Sequence, residues 1–89
     1  MSTIAEPGEV IHVGTSVLFD MLTPEQIERL ANLPPDPRLA ARVEVLADKA
    51  NEGELTESER EEYEEYIAID NLMAILQAEA RFRIAARKN

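Results

Sequence analysis

Six carboxylates in nine residues, Glu57, Glu59, Glu61, Glu62, Glu64 and Glu65, are the densest run of chemically competent side chains in the sequence. Paired carboxylates can share protons for general acid and base work, or hold a hard cation, but either task needs them to converge. Here the spacing spreads the charges around a helix, and no His lies near. The run reads as the solvated, dipole-favoured first turns of a helix, in which Glu57, Glu61, Glu62, Glu64 and Glu65 form an acidic patch that a basic partner can meet. His12 is the single His of the chain. With no ligating or catalytic companion in its neighbourhood it reads as a surface residue of a loose N-terminal arm.

Immediately upstream, DKANEGELTESE, Asp48 to Glu59, sets Asp first, Gly sixth, Leu eighth and Glu twelfth, the order of a calcium loop of the EF-hand kind. Two positions break the order. Ala50, the third, has no oxygen to offer, and Glu52, the fifth, is longer than the Asp or Asn that ligates there. The same residues also spell a helix stop and a helix start, with Gly53 as the C-terminal cap and Thr56 with Glu59 as a capping box. Capping is the fuller explanation, and a degenerate calcium-binding helix-loop-helix is the alternative. No metal or other cofactor is expected.

Asp70 stands between two apolar stretches, and Gln77 and Arg81 lie on the same seam of a helix. The three together form either a boundary carboxylate with its holders or a polar device that selects partner and register. The terminal RFRIAARKN carries Arg81, Arg83, Arg87 and Lys88, cations suited to the negative end of a helix dipole. A nucleic-acid role is disfavoured by the charge of the whole, eighteen acids against nine bases and a formal −9.

The elements that position these residues follow from composition. Eighty-nine residues make at most one modest domain, without room for a deep cleft and its supporting shell, so binding is expected rather than catalysis. Four aromatics, no Trp and three Gly against abundant Ala, Leu, Glu and Arg give an all-α class. The absence of Cys excludes a disulfide framework, a thiolate metal site and a cysteine nucleophile, and fits a reducing cytoplasm. No apolar run approaches a membrane span and no leader pattern opens the chain, so a soluble, cytoplasmic protein without membrane contact is expected.

Residues 1–15, with Pro7, Gly8, Gly14 and the β-branched stretch from Val10 to Val13, read as a disordered or extended arm, with Ser16 capping a turn behind it. Residues 16–89 read as a single helical domain. Thr23 before Pro24, with Gln26 three residues on and Leu22 and Ile27 placed as a hydrophobic staple, begins a helix that runs to about residue 32. The Pro-rich LPPDP ends it, and Asp36 before Pro37 begins a second helix with a stripe of Leu39, Val43, Leu46 and Ala50. A third helix runs from 57 to about 87 without Pro or Gly, about 46 Å at 1.5 Å per residue. The expected architecture is therefore two short helices and one long C-terminal helix, arranged as a helical hairpin.

The long helix outreaches its partner. Its apolar residues fall on two faces, Tyr66, Ile69, Leu72, Met73, Leu76, Ala80 and Ile84 on one, Ile67, Ala74, Ile75, Ala78 and Phe82 on the other. A helix apolar on two sides is covered on two sides, and in a chain this short the second cover is most economically another chain. An oligomer or an obligate complex is expected, with those residues as its interface.

The segment LADKANEGELTESEREEYEEYIAIDNLMAILQAEAR, Leu46 to Arg81, about forty percent of the chain, resembles a group of small bacterial helical proteins of uncharacterised role. They carry NEGxLTxEExxEYExYI and DLxAILQxKAR segments. Glu79 stands here where Lys is usual, and Asn71 interrupts the usual Asp-Leu pair. Such proteins are often encoded beside HNH-type endonucleases, so the resemblance implies an antitoxin-like or accessory role with a basic nuclease as partner. A small acidic protein-binding module, not an enzyme, is the functional expectation; a homo-oligomeric structural protein is the alternative from another class.

Overall fold

A computed structural model describes residues 7–88, with Pro7 described by its backbone alone. The described chain is all-helical: α1 (Pro7–Asp20), α2 (Pro24–Ala31), α3 (Pro37–Asn51) and the long α4 (Glu57–Arg87). The last three are the helices that the caps and breakers predict. The Thr23 hydroxyl accepts from the Gln26 N–H at 3.1 Å while the Gln26 side chain accepts from the Thr23 N–H at 2.9 Å. Thr56 and Glu59 repeat that reciprocal pair at 3.1 and 3.1 Å, and Asp36 accepts from the Arg38 N–H at 2.8 Å. These bonds satisfy amide donors that a helix start leaves open. Gly53, at φ 69°, takes the left-handed cap conformation that closes α3.

The arm is where the sequence reading fails. Residues 7–15 belong to α1, so neither the extended arm nor a strand over Val10 to Val13 exists there, and Ser16 lies inside the helix instead of capping one. Residues 1–6, the rest of that expected arm, lie outside the described residues. The reason is the weakness of β propensity, a few tenths of a kcal/mol per residue, against tertiary burial of one helix face. Thr15 and Ser16 turn their hydroxyls back onto the Ile11 and His12 carbonyls at 2.8 Å each, so neither competes with the helix.

The chain divides into two compact units, residues 1–33 with 73–89, and residues 34–72. In the second unit α3 and the first half of α4 run antiparallel. Arg42 donates to both carboxylate oxygens of Glu62 at 2.7 and 2.9 Å, and Lys49 donates to Glu59 at 2.7 Å, so rising numbers on α3 meet falling numbers on α4. Leu46 is fully buried, with Val43, Ala47 and Ala50 half-buried around the same stripe, while Leu39 remains exposed.

In the first unit α1, α2 and the second half of α4 enclose a core of Phe19, Ile27, Ala31 and Ala80, against which Leu22, Leu30, Leu76 and Ile84 pack. The long helix is thus covered on this side by the chain itself. That corrects the reading of Leu76, Ala80 and Ile84 as partner-facing: α1, once helical, and α2 supply the cover that the sequence reading sought in another chain.

Candidate functional site

Inside the first unit, one polar group is buried among apolar ones. Glu79 on α4 keeps 6% of its side chain exposed, and one oxygen of its carboxylate is held by two donors. Arg83, one turn on, donates from Nε to Oε2 at 2.9 Å, and His12 on α1 contacts the same oxygen through Nδ1 at 2.5 Å. A carboxylate only accepts, so Nδ1 carries the proton in this contact. Arg83 also reaches the Ser16 hydroxyl at 3.1 Å and Asp20 at 3.3 Å, and its guanidinium lies 5.1 Å from the Phe19 ring centroid. The His12 ring meets Phe82 edge-on at 5.2 Å. Every buried side-chain polar atom among the described residues has a partner, and the cluster locks α1 to α4 within the first unit.

His12 is therefore not a free surface residue of an arm but half of that lock. The sequence carries a signal for it: His12, Thr15, Ser16 and Phe19 recur at three, one and three residues, one face of a helix. Glu79 and Arg83 are legible as an i,i+4 pair, but their burial depends on α1.

Gln77 and Arg81 do other work than expected. Gln77 donates to the Leu30 and Leu33 carbonyls at 3.2 and 2.9 Å, and Arg81 donates to the Ala31 carbonyl at 3.1 Å. They cap the C-terminal end of α2, whose last carbonyls have no partner within the helix. Asp70 is exposed and takes part in no ion pair among the described residues, so the expected trio is not assembled.

In the second unit the acidic run splits. Glu59 and Glu62 face α3 and are engaged. Lys49, joined by the Thr56 N–H, pulls the Glu59 carboxyl down to about 2, and Arg42 holds that of Glu62 below the usual carboxylate range. Glu62 thus leaves the acidic patch. Glu57, Glu61, Glu64 and Glu65 are exposed without an ion-pair partner among the described residues, and they share one side of α4 with exposed Ala68 and Leu72. Those positions fall within about 100° of arc on a helix of 3.6 residues per turn, so the charges do converge on one face. Ile69 is exposed next to it, and Ile67 on the far side. Tyr66 and Met73 are half-buried, whereas Ile75 and Phe82 in the first unit are exposed.

The Glu59 carboxylate, twelfth in the calcium-like order, is occupied by Lys49 and Thr56. Among the described residues no group of three or more His, Cys, Asp or Glu is placed to hold a metal ion, and no helix is long and apolar enough to cross a membrane. Compared with known proteins, the sequence matches no family model, no curated protein and no solved structure.

Proposed function

We propose that this chain is a small acidic protein-binding module whose recognition face is the exposed side of α4 in the second unit. One observation carries the reading: four unpaired carboxylates, Glu57, Glu61, Glu64 and Glu65, lead along a single helix face to exposed Leu72, with Ile69 beside it. An apolar anchor bordered by charge of one sign suits a protein with a basic surface, the carboxylates steering encounter and the anchor slowing release. The charge is concentrated there: residues 34–72 hold twelve acids against four bases, while the remainder holds six against five. The resemblance over Leu46 to Arg81 adds a specific candidate, a basic nuclease encoded beside it, with an antitoxin-like or accessory role for this chain.

The test is binding of the purified chain to its co-encoded neighbour by calorimetry at several salt concentrations. Replacing Glu57, Glu61, Glu64 and Glu65 with Gln is expected to weaken binding by about tenfold or more at low salt and to flatten the salt dependence. Leu72→Asp should raise the dissociation rate. A complex indifferent to all five changes, or no complex at all, rejects this face.

A further inference from the structure

The first unit holds a different surface, and its composition is inverted. On α1 the polar residues His12 and Ser16 point inward to Glu79 and Arg83, while Val10, Ile11, Val13, Val17 and Leu18 are exposed. Val17 keeps 74% of its surface in water, and Met21, just past the helix end, keeps 75%. A lone helix in water has the opposite arrangement, so this outer face is built to be covered.

Gly14 stands at the middle of it. On a helix of 3.6 residues per turn, Val10 and Val17 flank Gly14 at roughly 40–60° on one side and Ile11 and Leu18 at roughly 40–60° on the other. Among the described residues nothing calls for glycine at this position. Its φ is not positive, and a Cβ built there would meet nothing within 4 Å. Glycine inside a helix is less favourable than alanine, so its use at an open site points to close approach by a backbone from outside.

We infer that this face pairs with the same face of a second copy, α1 against α1, antiparallel about a two-fold axis at Gly14. The pattern around Gly14 is symmetric by position. In that pairing Gly14 meets its counterpart, Val10 meets Leu18 of the second copy, and Ile11 meets its Val17, so one apolar surface complements itself as an isologous contact requires. Charge selects the same occupant. The five apolar side chains and Gly14 carry no charge, and the acids at the border, Glu9 and Asp20, lie about 120–140° around the helix from Gly14, so two copies meet along the apolar strip without burying like charges. A lipid surface is disfavoured, because the polar residues bordering the face are Glu9 and Asp20 instead of the Lys and Arg that attract anionic headgroups. The contact belongs to the first unit, shares no residue with the acidic face of the second, and does not rest on the function proposed for it.

The chain has no Cys, so a single introduced thiol reports the geometry unambiguously. Sedimentation of the full chain from micromolar to submillimolar concentration should show a monomer–dimer equilibrium. Val17→Glu, at an exposed position, should shift the species to monomer with helicity retained by circular dichroism. Under mild oxidation Gly14→Cys should cross-link into a dimer. Val17→Cys should not, because antiparallel pairing sets the two copies of residue 17 roughly 9 Å apart along the axis, beyond easy disulfide reach. A parent chain that stays monomeric throughout overturns the inference, as does a dimer that survives Val17→Glu unchanged or cross-links equally through both positions. Binding of the monomer to phosphatidylcholine vesicles without dimer in solution overturns it in favour of a lipid occupant. The four Glu→Gln changes on α4 should leave the dimer intact, which separates this test from that of the proposed function.

Discussion

Replacing Phe19 with Ala tests whether α1 is an integral part of the first unit. Phe19 is 1% exposed, the largest side chain in a core otherwise made of Ile27, Ala31 and Ala80, and its ring also lies beneath the Arg83 guanidinium. Truncating a buried Phe to Ala removes transfer energy and leaves a cavity that two small alanines cannot refill, at a cost of about 3–5 kcal/mol. A domain of this size has roughly 4–13 kcal/mol in total. The loss is therefore a large share, and it falls on one unit. Urea denaturation followed by circular dichroism should show a midpoint far below that of the parent. Hydrogen exchange should show the α1 amides losing protection before those of α3. Leu39→Ala, at an exposed position on α3, is the control and should stay within about 0.5 kcal/mol of the parent. If Phe19→Ala also stays within about 0.5 kcal/mol, and α1 amides exchange freely in the parent, then α1 does not dock and the lock of His12 on Glu79 does not form in solution.

Two further outcomes follow from caps and charges. The Glu59 carboxyl, held at about 2 by Lys49 and the Thr56 N–H, lies below its ordinary 4.5, so its contribution to stability is full above that ordinary value and fades as pH falls toward 2. Melting temperatures across that range should fall less steeply for Glu59→Gln than for the parent, and equal slopes would contradict the Lys49 contact. Gly53→Ala, at φ 69° with open space around the glycine, should cost about 1–2 kcal/mol through backbone strain alone, measured by urea denaturation. A neutral result would mean that the α3 terminus relaxes to another conformation.

The sequence by itself determined what is local. Thr23 with Gln26, Asp36 before Pro37, and Thr56 with Glu59 fix where three helices start, because a side chain two or three residues away satisfies the open amides without help from elsewhere. The uninterrupted run of helix formers after Thr56 fixes the length of α4 in the same way. Tertiary structure decided the remainder. Residues 10–13 are β-branched or aromatic-like in preference, and tertiary contacts of α1, among them the burial of Phe19 and the bond of His12 to a carboxylate 67 positions away, favour the helix there. Once α1 forms, it and α2 cover Leu76, Ala80 and Ile84, which a wheel drawn on α4 alone leaves bare. Gln77 and Arg81 become caps of another helix for the same reason: their targets are carbonyls more than 40 residues distant, and no spacing along the chain encodes that distance. The division of the glutamates is intermediate. Helical periodicity places Glu57, Glu61, Glu64 and Glu65 together, but which face stays free depends on Arg42 and Lys49 arriving from α3 to engage Glu62 and Glu59.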